Sequence, residues 1–214
     1  MYPFFKRLTD IVASLCAIIV LAPVMIAVAV VVKCSSHGPV FYRGERVGRF
    51  GQTFRMLKFR SMVWNADAVG GFSTALDDPR LTKPGRFLRE YKLDELPQFI
   101  NVLLGDMSLV GPRPQVRYYT DRYTVDELEI LSVRPGITDL ATLHFHDMDA
   151  VLGVGDVDSR YQTDVEPVKN LMRVRYVRNR SYLLDLRILI ETVSQVFGFF
   201  NITRLDVSRR GSCE

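Results

Sequence analysis

Residues 11–32 read IVASLCAIIVLAPVMIAVAVVV, twenty-two positions without a charge in a chain of 214. As a helix rising about 1.5 Å per residue, the run extends roughly 33 Å, enough to cover a bilayer's hydrocarbon core. It has no polar face, which argues against a helix buried in a soluble protein. It is also long for a signal-peptide apolar region and lacks a small-residue cleavage site. Membrane association is therefore the first expectation. Pro23, near the middle, removes a backbone hydrogen bond and favours a kink. Lys6 and Arg7 precede the run, and Lys33, Arg43, Arg46 and Arg49 follow it. A single crossing puts one cationic group on the non-cytoplasmic side, against the usual bias, whereas a helix that enters, bends and returns keeps both on the cytoplasmic face. Both topologies stay open on the residues alone, and the charges favour the re-entrant one.

Outward from this segment the chain is charged and rich in loops. The formal net charge of +4 suggests an anionic partner: phospholipid headgroups, nucleic acid or a phosphorylated small molecule. Cys16, Cys34 and Cys213 form no even disulfide framework and read as reduced thiols in a cytosol-facing protein. In FRMLKFRSM (54–62) the period of two places Lys58 and Arg60 on one face of a short strand. Residues 65–85 carry the Gly, Asp, Pro and Thr of a loop. RFLREYKL (86–93) reads as helical, and Leu96, Phe99, Ile100, Leu103 and Leu104 then mark one buried helix face that stops at Gly105-Asp106. SLVGPRP is a proline-braced turn, residues 121–132 a helix, Pro135-Gly136 a type II turn, and 166–200 a final long helix. The fold expected is α+β and mainly helical, with a kinked re-entrant membrane helix hairpin over 1–36. A small cytosolic catalytic domain with short strands follows over 37–200, and a tail over 201–214.

The chemistry centres on YKLDELPQ (91–98), where two adjacent acids sit in a basic chain. An Asp at a helix start is ordinarily a cap. Here, however, Arg89 and Lys92 lie just upstream, and Arg113 and Arg134 are each fixed beside prolines. Neighbouring helical residues point about 100° apart, so Asp94 and Glu95 suit separate jobs rather than one shared-proton dyad. One carboxylate can attack phosphorus, the other can hold Mg²⁺, and arginines can grip phosphate oxygens. There is no Walker A sequence, Rossmann glycine fingerprint or zinc spacing. The histidines of HFH (144–146) and Trp64 bring no accompanying metal or nucleic-acid signature.

The proline-centred apolar segment, FRMLKFRSM, DDPRLTKPGRFLR, LDELPQFINVLLGDMSLVGPRP, RPGIT and YVRNRSYLLDLRIL occur in this order. Together they resemble the bacterial sugar transferases, the small monotopic polyprenyl-phosphate phosphoglycosyl transferases, over about residues 3–195. The resemblance implies transfer of a phospho-sugar from a UDP-sugar to polyprenyl (undecaprenyl) phosphate at the cytoplasmic face of the bacterial inner membrane. UMP leaves, and polysaccharide or glycoconjugate assembly begins. It implies a ping-pong mechanism with Asp94 as nucleophile and Glu95 as Mg²⁺ ligand. Lys58, Arg60, Arg89, Arg113 and Arg134 would support phosphate, and the membrane helix would be re-entrant at Pro23. Phospholipid contact is implied and nucleic-acid binding is not; a homodimer stays open. Intact acids and Arg89 weigh against the alternative, an inactive membrane-anchored relative that binds lipid-linked sugars.

The chain departs from the family's pattern in three places. Ala22 stands where many members have Ser before the proline. TDLATLHF (138–145) replaces a TGLAQV-like run, and Arg173 lies where an Asp before the YV element is frequent. The last two fall in the half expected to shape sugar choice.

Overall fold

The computed structural model describes residues 2–66, 78–145 and 161–196. Its first element, α1 (Tyr2–Ser35), stays helical through Pro23. Its 34 residues give a length of about 51 Å at 1.5 Å per residue. Most apolar side chains of α1 face outward, among them Phe4, Ile19, Val20, Ile26 and Val30.

Both ends of α1 are fastened to the same folded body. Near its start, Lys6 Nζ donates to Val110 O and Asp185 Oδ2, each at 2.8 Å. Arg7 donates to Val102 O and Leu103 O at 2.7 and 3.0 Å. Buried Asp10 accepts from Ser108 Oγ and Leu109 N. Near its end, Val28 and Val32 pack with Phe59 and Leu88 in a small apolar core.

Two antiparallel strands follow, β1 (Phe41–Val47) and β2 (Thr53–Phe59), in a register that sets Tyr42 opposite Lys58. Helix α2 (Lys83–Glu90) starts at Thr82, whose hydroxyl accepts from Gly85 N, with Pro84 in the first turn. A 3₁₀ turn (Leu93–Glu95) leads into α3 (Gln98–Leu104), which ends at Gly105 with φ 95°, a left-handed cap. Asn101 of α3 clasps β2: its Oδ1 accepts from Leu57 N and its Nδ2 donates to Arg55 O, both at 2.9 Å.

Strands β3 (Ser108–Val110) and β4 (Gly136–Thr138) pair in parallel. The sequence led us to expect turns at both places. β3 is buried at all three positions and β4 at two of three, and strands of three residues are too short to carry a period-two signal. Gly136 does not have the positive φ that a type II turn requires at its third position. It is small because β3 and β4 approach closely: a Cβ at Gly136 would lie 2.1 Å from Gly111 N.

A short helix, α4 (Arg117–Thr120), lies just before the range 121–132, where the expected helix is replaced by turns and a 3₁₀ segment (Glu127–Ser132). After β4 comes α5 (Leu140–His144), capped by Asp139. The expected final helix is divided into α6 (Glu166–Asn179) and α7 (Tyr182–Val196), because Arg180 is extended at ψ 129°. Its expected end at 197–200, the 201–214 tail, His146 and most of the 65–85 loop lie outside the described residues. The main core joins Met56, Val102, Met107, Leu109, Val110, Tyr176, Val177 and Ile188. Thus β2, α3, β3, α6 and α7 share one apolar centre.

Candidate active site

At the end of α2, Lys92 takes the left-handed conformation (φ 56°), and the chain turns into Leu93–Glu95. This turn buries the Asp94 side chain, leaving the residue 4% exposed. The alternation of β2 delivers Lys58 to the same point. Lys58 Nζ lies 2.8 Å from Glu95 Oε1 and 3.9 Å from Asp94 Oδ2. The Arg113 guanidinium also donates to Glu95 Oε1 through Nη2.

Arg113 is aimed by the parallel strands. It follows the C-terminal end of β3, between buried Pro112 and Pro114, while Asp139 follows the C-terminal end of β4. The Arg113 main-chain N–H donates to Asp139 Oδ2 at 2.9 Å, and Nη1 donates to Ile137 O at 3.1 Å. Carboxyl ends of parallel strands are recurrent ligand positions because backbone groups there are free to face a crevice.

The two acids differ electrostatically although they are neighbours. Burial raises the Asp94 carboxyl above the ordinary aspartate value; Lys58 offsets part of this, and the charge of Glu95 adds to it. Burial acts in the same direction on Glu95, but Arg113 and Lys58 outweigh it and hold that carboxyl well below the usual range. Glu95 is therefore a fixed negative charge between two cations. Asp94 is a less solvated carboxylate beside one cation, a state compatible with nucleophilic attack.

Among the candidate residues, Lys58, Asp94, Glu95 and Arg113 meet directly. Half-buried Arg89 lies near enough to act on Asp94 through its charge. Arg60 takes a different place. It is 5% exposed, and Nη2 donates to Val32 O at 3.2 Å, in the last turn of α1, and to Ser36 O at 2.7 Å, just after it. Arg134 Nε donates to Gly105 O at 2.8 Å, at the end of α3. Pro23 lies in the exposed middle of α1. Our sequence reading did not include Asp139 among the site residues. The available signal was its occurrence, with Arg173, at two departures from the resembled pattern.

Among the described residues no group of three or more His, Cys, Asp or Glu side chains forms a metal cluster. The donors available at the site are the carboxylates Asp94 and Glu95. This oxygen set suits Mg²⁺, which commonly binds one or two carboxylates and completes its shell with water and substrate phosphate.

The family model described as "Bacterial sugar transferase" matches residues 1–199. The chain belongs to the bacterial sugar transferase family. It is 37% identical over 203 residues to the UDP-N-acetylgalactosamine-undecaprenyl-phosphate N-acetylgalactosaminephosphotransferase of Aeromonas hydrophila, covering 93% of this chain and 45% of that one. It is 39% identical over 202 residues to the UDP-glucose:undecaprenyl-phosphate glucose-1-phosphate transferase of Klebsiella pneumoniae, covering 92% and 40%. The chain thus spans less than half the length of these two relatives. A shorter relative, the exopolysaccharide production protein ExoY of Sinorhizobium fredii, is 36% identical over 206 residues, covering 89% of this chain and 84% of that one. Within this family, Lys58, Asp94, Glu95 and Arg113 form the charged centre of the present chain.

Proposed function

We propose that the protein transfers a phospho-sugar from a UDP-sugar to polyprenyl phosphate, releasing UMP, through a covalent intermediate on Asp94. The observation that carries this reading is the buried Asp94 carboxylate beside Lys58 and the Glu95–Arg113 ion pair. The names of the relatives, which specify undecaprenyl-phosphate sugar-phosphate transfer, support the reaction class.

In the first half-reaction an Asp94 oxygen attacks the phosphorus that bears the sugar. The bond from that phosphorus to the bridging oxygen of UMP breaks, and UMP leaves with the electron pair. Lys58 and Arg113 stabilise the negative charge that develops on the phosphate oxygens. In the second half-reaction an anionic oxygen of polyprenyl phosphate attacks the same phosphorus. The acyl phosphate bond breaks, Asp94 recovers its carboxylate, and polyprenyl-diphosphate sugar is formed. Glu95 would hold Mg²⁺, whose charge would further neutralise the reacting phosphate.

The helix α1 enters one leaflet and returns, placing the catalytic domain at the cytoplasmic face of the bacterial inner membrane. Cations on both flanks and the fastening of both α1 ends to one body support this topology. The deciding experiment is UMP release from a panel of UDP-sugars with undecaprenyl phosphate and Mg²⁺. Release that depends on the lipid phosphate and is abolished by Asp94→Asn is the expected result. Unchanged release by Asp94→Asn would remove the nucleophile assignment.

A further inference from the structure

Behind Arg113 lies a second charged group that the proposed reaction does not itself use. Asp139 and Arg173 form an ion pair at 3.6 Å, with both side chains only 2% exposed. Arg173 Nε faces Asp139 through charge alone, without a hydrogen bond, while other polar atoms of the pair have specific partners. Asp139 Oδ1 accepts from Thr142 N at 2.6 Å, while Oδ2 accepts the Arg113 main-chain N–H at 2.9 Å. Arg173 Nη1 donates to Asn170 Oδ1 at 2.9 Å. With the Gln115 carboxamide oxygen turned inward, it accepts from Arg173 Nη1 and Nη2, both at 2.9 Å.

A guanidinium so deeply buried requires a compensating charge, because the desolvation cost of an unpaired ion is large. Asp139 is the acidic group in salt-bridge contact with Arg173. The same carboxylate also fixes the backbone of Arg113, whose other end reaches Glu95. A continuous chain of contacts therefore runs from Arg173 through Asp139 and Arg113 to Glu95. Residues 139 and 173 lie far apart in the sequence, and the structure joins them so that each supplies the other's counter-charge.

We infer that Asp139, held by Arg173, is a positioning residue: together they set the reach of Arg113 toward the diphosphate of the donor. This rests on the proposal that Arg113 grips donor phosphate, and it concerns a pair of groups that need never touch substrate. Without the Asp139 charge, Arg173 is left unpaired and the Arg113 turn loses a specific anchor.

A double-mutant cycle separates this role from simple structural support. Wild type, Asp139→Asn, Arg113→Lys and the double variant are compared as whole protein in nanodiscs, by calorimetric binding of UDP with Mg²⁺ and by kcat/KM for UMP release. Asn keeps one oxygen to cap Thr142 N but sets an amide NH2 where the Arg113 N–H donates, so the first variant removes the charge and the Arg113 anchor together while sparing helix initiation. UDP affinity is expected to fall about tenfold in each single variant, and the double variant should lie within about threefold of Arg113→Lys. Losses that multiply, or wild-type UDP affinity in Asp139→Asn, would overturn the positioning role.

If Asp139→Asn fails to fold, Asp139→Asn with Arg173→Met removes both charges and enters the cycle in its place, with the same criteria. Non-additive UDP binding without UMP release by the wild type would leave the positioning role standing and remove the transferase reading. No UDP binding by the wild type would overturn both.

Discussion

Lys58 and Arg60 stand two residues apart at the end of one strand, yet they serve different parts of the molecule. Lys58 reaches Glu95 and Asp94, whereas Arg60 turns to the carbonyls of Val32 and Ser36 at the end of α1. The contrast recurs in the proline turns: Arg113 meets Glu95, while Arg134 meets the carbonyl of Gly105. Arg7 likewise serves the last carbonyls of α3. The ends of helices offer unsatisfied carbonyls and partial negative charge, so they compete with acidic side chains for the same cations. A basic residue near a candidate site is therefore assigned only when its actual partner is known.

The largest effect should come from the acid itself. Asp94→Asn should lower UMP formation by at least about a thousandfold, since it removes the attacking group. A steady-state UMP assay checks this, and residual activity within about tenfold of wild type would contradict it.

Next, the two classes of cation should separate. Lys58→Met and Arg113→Lys should each lower kcat/KM on the order of a hundredfold, by weakening stabilisation of the phosphate charge. Arg60→Met should leave kcat near wild type while costing about 1–3 kcal/mol of stability, because it removes charged hydrogen bonds at a helix end. Parallel kinetics and denaturant titration would test the distinction. A kcat loss in Arg60→Met equal to that in Lys58→Met would erase it.

The pH behaviour follows from the opposite displacements of the two acids. Attack requires ionised Asp94, whose raised carboxyl should place the acid limb of the rate above the ordinary value of about 3.9. Lys58→Met should move that limb further upward, because the cation that favours ionisation is lost.

Titration of Glu95 should affect folding rather than rate in this range, since the carboxyl stays ionised wherever Asp94 can attack. Its folded-state value is depressed, so its stabilising contribution is present above its unfolded value, about 4.3, and is lost as pH falls through the folded one. Glu95→Gln should therefore flatten the acid side of the stability profile. Melting temperatures measured from pH 7 to pH 3 provide the check.

Much of this arrangement was legible in the residues. The long uncharged run announced α1, the alternation in FRMLKFRSM announced β2, and Gly105 marked the end of α3. Of the cations expected to support phosphate, the structure brings Lys58 and Arg113 to the two acids, although they lie far apart along the chain. The short buried strands β3 and β4 were not legible, because their pairing depends on contact between residues about thirty apart. Gly136 illustrates the difficulty: a Pro-Gly sequence suits a turn, but its missing side chain is needed where Gly111 approaches. The roles of Arg60 and Arg134 were equally hidden, since helix-end carbonyls leave no periodic mark in the sequence.

The most direct test is intact-protein mass spectrometry after incubation with a competent UDP-sugar and Mg²⁺ in the absence of polyprenyl phosphate. The account predicts a mass increase of one phospho-sugar, located on the peptide carrying Asp94, absent in Asp94→Asn and discharged when polyprenyl phosphate is added. UMP release that proceeds only with the lipid present, with no adduct at any time, would contradict a covalent intermediate on Asp94.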